Sequence, residues 1–215
     1  MLMREATTKV IYDLQSVFYD KTFAALVKRH IETAITHMEI RDTDVVLDLG
    51  IGTGASLNFY PHNGQIVGID LSGGMLRECR KKMREQHRTN VMVLQGNALD
   101  LPFADDSFDH VFISHVISVV SDPFLLIREA QRVAKRGARI IIVNHFQSTN
   151  PVIAKVEQWL CPLCTKLGWR SDLALADLIT RTGMQIDYRY RLESIDLWET
   201  VVVCNNKSMV EAMVA

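Results

Sequence analysis

Val45-Val46-Leu47-Asp48-Leu49 runs directly into Gly50-Ile51-Gly52-Thr53-Gly54. A short β-branched run of this kind is a buried strand. Glycines at alternate positions just after it let the chain turn sharply and bring backbone N–H groups close to a ligand, beneath the start of the next helix. Asp70 closes a second such run, Ile66-Val67-Gly68-Ile69-Asp70, 20 residues after Gly50. An acidic side chain at that point accepts hydrogen bonds from both hydroxyls of a ribose, so the pair predicts a nucleoside. Three readings stay open on these residues alone. Gly50, Gly52 and Ala55 also satisfy the looser dinucleotide pattern, which would make the chain an NAD-dependent oxidoreductase, and a glycine turn serves equally as a plain strand-to-helix connection.

Working outward, the β-branched runs 91–95, 108–114 and 139–145 add three more parallel strands, separated by helical stretches at 75–86 and 123–134. The second of these helices starts at Asp122-Pro123, a capping carboxylate followed by a proline suited to the first turn. A helix over 172–182 ends at Gly183. Two strand-like runs, 184–191 and 195–204, then follow one another without an intervening helix, as in an antiparallel hairpin at a sheet edge. Strands alternating with helices predict a Rossmann-like, doubly wound α/β sheet of seven strands, mostly parallel with a C-terminal antiparallel hairpin. The 215 residues form one domain: an N-terminal helical extension over 1–44, a core over 45–145, a helical insertion over 146–171 and a C-terminal helix and hairpin over 172–215.

An apolar fraction of 48% and a charged fraction of 23% exclude a disordered, collagen-like or disulfide-stapled chain. With 24 basic and 25 acidic residues there is no footprint for a polyanion, so nucleic acid is not an expected partner. The opening residues mix charges from Arg4 onward and lack the apolar core of a secretory signal, and no run is long enough to span a bilayer, which predicts a cytoplasmic chain without a transmembrane segment. Cys161-Pro162-Leu163-Cys164 stands without a second ligand pair, so no metal site is expected.

Further blocks narrow the choice among the three readings. Asp70-Leu71-Ser72, Met75-Leu76, Gly96-Asn97-Ala98 and Leu101-Pro102-Phe103-Ala104-Asp105-Asp106-Ser107-Phe108-Asp109, taken with the glycine turn, resemble the class I S-adenosylmethionine-dependent methyltransferases over roughly residues 45 to 145. The resemblance implies S-adenosyl-L-methionine as cofactor and S-adenosyl-L-homocysteine as product. It sets the glycine loop, with Gly50, Gly52 and Gly54, toward the methionine part, Asp70 on the ribose and Asn97 at the adenine amine, and it counts Asp48, Leu71, Met75 and Ala98 among the cofactor-binding residues. Asn97 stands where most relatives carry Asp; its carbonyl still accepts from the adenine amine. Strand-end position nominates Ser114 and His115 after the fourth strand, and Asn144 and His145 after the fifth.

The blocks 115–123, Asn144-His145-Phe146 and 167–172 are similar to the bacterial, soluble phosphatidylethanolamine N-methyltransferases. That likeness implies a phospholipid acceptor and peripheral contact with an anionic membrane surface on the inner face. Phe18, Tyr19 and Phe23 would enter the interface, with Lys21, Lys28 and Arg29 near the headgroups. Residues Phe23, Val27, Ile31, Ile35 and Met38 have helical spacing that suits either this docking or an ordinary core. The apolar stripe over 152–167 likewise suits a core or a lid for acyl chains. Tyr19 and His145 are candidate positioners of the amine, His115 a cofactor wall or a base, and Arg170 beside Trp169 a fork for the lipid phosphate, or else a surface partner of Asp172.

The basic runs Arg77 to Arg88 and Arg132 to Arg139 read as solvated faces, unless both share the ligand rim. Two alternatives keep the fold and change the function. One is methylation of a quinone precursor or other small apolar acceptor, since the Leu101-Pro102-Phe103 block is shared with such enzymes; the other is a catalytically silent cofactor-binding or membrane-interaction module.

Overall fold

Alternation of apolar residues along each strand decides which face of the sheet each side chain covers. The computed structural model describes residues 27–148, 172–193 and 196–207, with the helical positions 155, 159 and 161. Its strands are β1 (Val45–Leu49), β2 (Gln65–Asp70), β3 (Val91–Gln95), β4 (Phe108–Ser114), β5 (Ala134–Asn144), β6 (Gln185–Tyr190) and β7 (Glu199–Cys204). They form one sheet in the order β3-β2-β1-β4-β5-β7-β6. β1 to β5 are parallel, whereas β7 runs antiparallel to both β5 and β6. The expected edge hairpin is therefore present, with its second strand inserted between its first and the parallel sheet.

Helix α1 covers 27–36, followed by α2 (Gly73–Glu85), α3 (Pro123–Val133) and α4 (Leu175–Thr182). Leu47, Val111, Ile113, Ile140, Ile142, Val201 and Val203 pack into one core with Leu126 and Ala130 of α3 and Leu178 of α4. Their sequence neighbours Val46, Phe112, Ile141, Val143 and Val202 pack into the other core, with Val27, Ile31 and Ile35 of α1 and Leu76 of α2. One core thus lies on each face of the sheet. For α1 this decides between the two readings of its apolar stripe: Val27, Ile31, Ala34, Ile35 and Met38 are all buried. Each large side chain among them contributes about 1.5–3 kcal/mol when removed from water, so 27–38 is core. Lys28 and Arg29 face solvent on the same helix, and Arg29 pairs with Glu193.

Local signals set the helix ends. Asp122 accepts hydrogen bonds from the Phe124 and Leu125 N–H groups ahead of α3, with Pro123 in the first turn. Ser72 caps α2 by accepting from Met75 N–H at 3.1 Å, and Gly183 ends α4 in the left-handed region. β7 starts at Glu199, later than expected, because the Asp196 side chain accepts the Trp198 N–H at 3.1 Å and turns the chain before the strand begins.

The basic runs do not share one rim. Lys135, Arg136 and Arg139 surround a polar groove with Arg41, Asp44, Asp109 and His110, at the end of the sheet where the parallel strands begin. Arg88 is buried and donates to the Leu57, Tyr60 and Pro61 carbonyls. Arg132 likewise serves the fold, bonding Glu129, Asp105 and the Leu101 and Phe103 carbonyls. Among the described residues no helix is long and apolar enough to cross a membrane.

Candidate functional site

From β1 the chain passes to β2 on one side, while β4 joins β1 on the other. The connections part there, and a crevice opens beyond the carboxyl ends of these strands. The cleft at this point encloses about 1150 Å³, counting its open mouth. Gly50, Gly52 and Gly54 all take positive φ, at 72°, 56° and 78°, which lets the loop fold back over β2. Gly50 and Ile51 donate to the Ile69 carbonyl at 2.7 and 3.2 Å. Gly54 does not line the cleft. A side chain there would strike Leu57 and Cys79, so its role is in packing the turn.

The expected helix after the loop is a four-residue 3-10 turn, Ala55–Asn58. Pro61 follows closely, and Arg88 takes the Leu57 and Tyr60 carbonyls that a longer helix would use. No helix terminus is therefore available at the loop to receive a pyrophosphate. Asp48 is instead the organising group: its carboxylate accepts from the Ser56 hydroxyl at 2.6 Å and from the Tyr60 hydroxyl at 3.0 Å. Burial pushes the Asp48 carboxyl up to about 6 despite those two donors, with Asp70 adding to the rise. Burial also lifts the neighbouring Cys79 thiol to about 12, with the charge of Asp48 adding to it, which leaves the sulfur unreactive.

Asp70, at the end of β2, accepts from the Gly52 N–H at 3.0 Å and from the Ser72 N–H at 2.8 Å. One carboxylate thus ties the glycine loop to the start of α2 while lining the cleft. Leu71, Met75, Ala98 and Leu99 supply apolar walls beside it, and Asn97 lies among them. The Asn97 side-chain carbonyl, an oxygen with two lone pairs, accepts the Leu99 N–H at 2.9 Å, which fixes its direction. A Cβ at Gly52 would meet nothing closer than the Gly50 carbonyl at 3.8 Å, so the loop backbone is open to close approach from the cleft. Two acidic side chains, an open backbone and flat apolar walls fit a nucleoside carrying a cationic amino-acid tail.

The far wall comes from Phe112, Ser114, His115, Val116, Val119 and Val120, and from Val27 and Ile31 of α1. Ser114 Oγ and His115 Nδ1 are 2.8 Å apart. Burial, with a smaller contribution from the charge of His30, lowers the His115 imidazole to about 3. A ring with so little proton affinity suits a neutral wall better than proton uptake from an ammonium.

Asn144 and His145 are not among the residues lining the cleft. Asn144 is buried, accepting from the Ser118 hydroxyl at 3.2 Å and donating to the His145 carbonyl at 2.5 Å. His145 Nδ1 meets the Leu197 carbonyl at 2.8 Å. Tyr19, Trp169 and Arg170 lie outside the described residues, as do Phe18, Lys21, Phe23, Cys164 and most of 146–171. Sequence reasoning missed Val27, Ile31, Phe112 and the Val116, Val119, Val120 set as walls. The last three follow the end of β4 at near-helical spacing, a signal that was present but indistinguishable from core.

The Methyltransferase domain family model matches residues 47–142. Phosphatidylethanolamine N-methyltransferase from Cereibacter sphaeroides is 36% identical over 158 residues, covering 73% of this chain and 77% of that protein. Demethylmenaquinone methyltransferase from Thermobifida fusca is 33% identical over 169 residues, covering 78% and 67%. Geranyl diphosphate C-methyltransferase from Streptomyces coelicolor, solved with Mg²⁺, geranyl diphosphate and S-adenosyl-L-homocysteine, shares the fold with a TM-score of 0.70 at 15% identity, over 82% of this chain and 78% of that one.

Proposed function

The chain belongs to the class I S-adenosylmethionine-dependent methyltransferases, and from that membership we propose that it methylates the amine headgroup of phosphatidylethanolamine, with phosphatidylcholine as the end of successive transfers. The observation that carries the acceptor is the Cereibacter relative, whose similarity extends in near-equal shares over both chains and past the cofactor core. When bound, the cofactor supplies an electrophilic sulfonium methyl. In this reading Asp70 holds the ribose, Asn97 faces the adenine amine, and the glycine loop with Asp48 takes the amino-acid end. A second reading, methylation of a quinone precursor, is favoured by the demethylmenaquinone methyltransferase relatives.

An ammonium with a lysine-like pKa of about 10.4 must lose its proton before attack, at roughly 4 to 5 kcal/mol at neutral pH. His115 is not suited to take that proton, since it is too weak a base, and Asp48, with the Ser56 and Tyr60 hydroxyls on its Oδ2, is assigned to the amino-acid end of the cofactor. Positioning is the larger lever, since in-line alignment removes on the order of 7 to 11 kcal/mol. Tyr19 is the proposed positioner of the amine, and Arg170 with Trp169 the proposed seat of the phosphate. A contact with anionic membrane through Phe18, Lys21, Phe23 and the exposed Lys28 would bring the headgroup to the cleft.

The test is incubation of the purified protein and methyl-labelled S-adenosylmethionine with vesicles of phosphatidylethanolamine and an anionic lipid, in parallel with a demethylated quinone, followed by mass analysis. Mono-, di- and trimethylated lipid is expected. Label in the quinone alone would establish the second reading, and label in neither would mark a silent binding module.

Cofactor affinity should depend on pH through Asp48. Above about 6 its carboxyl is an anion and below about 6 it is neutral. A bound cation favours the anion, so affinity falls as pH drops through 6, by at most about tenfold per unit. Calorimetry from pH 5 to 8 in two buffers of different ionisation enthalpy should show proton release near pH 6. Asp48→Asn should flatten the profile, and a flat wild-type profile would remove Asp48 from the cofactor's charge balance.

A further inference from the structure

Helix α1 supplies Val27 and Ile31 to the cleft wall. Three polar contacts tie it and the turn after it to β6 and to the β6–β7 connection: Arg29 to Glu193 at 3.3 Å, His37 Nδ1 to the Tyr188 hydroxyl at 2.8 Å, and His30 Nε2 to Asp196 Oδ2 at 2.6 Å. The first two are exposed, whereas the His30 and Asp196 side chains are only 10% and 8% exposed. An exposed pair is worth little, and a shielded, charge-assisted one is worth more.

His30 sits one residue before Ile31 on this helix, and its ring meets the Trp198 ring edge-on at 5.2 Å. Trp198 in turn meets the His115 ring at 5.8 Å. Asp196 also accepts the Trp198 N–H, so the same carboxylate holds both the helix and the indole. Burial pushes the Asp196 carboxyl up, but the bonds from His30 and from the Trp198 N–H outweigh it and keep the group below the usual range. Beyond the core packing of α1, the α1 and His115 parts of the cleft wall thus share one buried polar contact between residues 166 positions apart in sequence.

We propose that His30 and Asp196 are positioning residues that latch helix α1 and Trp198 over the cofactor cleft and thereby set how long the cofactor is retained. This rests on the reading of the cleft as the S-adenosylmethionine site. Neither residue lines the cleft; both act through Val27, Ile31 and His115. Releasing the latch leaves the ribose and glycine-loop contacts intact and opens the wall opposite them.

The test measures release of labelled S-adenosylhomocysteine after chasing with unlabelled compound. His30→Phe keeps a ring against Trp198 and removes the bond, and Asp196→Asn weakens it from the other side. Each should speed release about tenfold, the equivalent of roughly 1.4 kcal/mol. The double variant should be no faster than the worse single one, because both remove the same contact. His30→Gln, whose amide N–H can still reach the carboxylate, should return the rate to within about threefold, a rescue that general loosening of the fold would not show. Glu193→Ala, which removes only the exposed pair, should leave the rate unchanged.

Should either substitution prevent folding, amide hydrogen exchange on the wild-type chain decides: saturation with S-adenosylhomocysteine should slow exchange over 27–36. Unchanged release in folded variants, or unchanged exchange in the wild type, overturns the latch alone. A wild-type chain that retains no S-adenosylhomocysteine overturns the cofactor reading and the latch with it.

Discussion

Asp70→Ala should lower the affinity for S-adenosylhomocysteine by at least about 100-fold, while far-ultraviolet circular dichroism stays that of the wild type. Two losses add. A carboxylate accepting from both ribose hydroxyls makes two charge-assisted hydrogen bonds, each worth about 1.5–3 kcal/mol. The same side chain also accepts the Gly52 and Ser72 N–H groups, so its removal loosens the glycine loop and the α2 start. Asp70→Asn separates the two effects. Its amide offers one acceptor where the carboxylate offers two, so one of the loop contacts becomes donor against donor, and affinity should fall to an intermediate value. Calorimetry on the three proteins reads this directly, and equal affinities would refute the ribose assignment.

The geometry behind that assignment, Asp70 beside the glycine loop on the cleft wall, was legible in the sequence because everything it needs is local. A β-branched run, a glycine turn and an acid at the end of the next run each declare themselves within a few residues, and the parallel pairing Leu49 to Ile69 then brings them together. Long-range packing was not legible. The stripe Val27, Ile31, Ile35 marks an amphipathic helix whatever it covers; only the folded chain shows it covering a sheet face and the cleft at once. His30 and Asp196 gave no signal at all, since a lone histidine and a lone aspartate far apart in sequence carry no pattern.

Strand-end position leaves one pair of residues outside the cleft lining, for a physical reason. Ligands bind beyond the carboxyl ends of parallel strands, and Ser114 and His115 do stand on the cleft wall. β5 has an antiparallel neighbour, and the carboxyl end of β5 at Asn144 pairs with Glu199 at the start of β7. The residues just before Glu199 then cover that end, and the Leu197 carbonyl takes His145. Asn144 and His145 therefore brace the wall from behind. The shortened turn after the glycine loop was equally hidden, because the competitor for its carbonyls, Arg88, arrives from the far end of the next helix.

Gly50→Ala should cost the protein both stability and cofactor affinity, and the reason can be divided by experiment. A Cβ at this position would lie 2.1 Å from Val116 Cγ2 and 3.2 Å from Val116 Cγ1, on a backbone with φ of +72°. Valine is branched at Cβ and cannot swing its methyl groups clear, so overpacking costs about 1–3 kcal/mol. The left-handed backbone adds about 1–2 kcal/mol for any residue with a side chain. Together these should lower the melting temperature by roughly 5 to 15 °C. In a Val116→Ala background both clashing methyl groups are gone, and the left-handed backbone and the tight contact with the retained Val116 Cβ at 3.2 Å remain. The same substitution should then cost less, about 1–2 kcal/mol for the backbone and a smaller addition for that contact. The double variant should thus be more stable than the sum of the singles requires. Strict additivity in thermal melts would show that Val116 yields without cost, and that the glycine is needed there for its backbone alone.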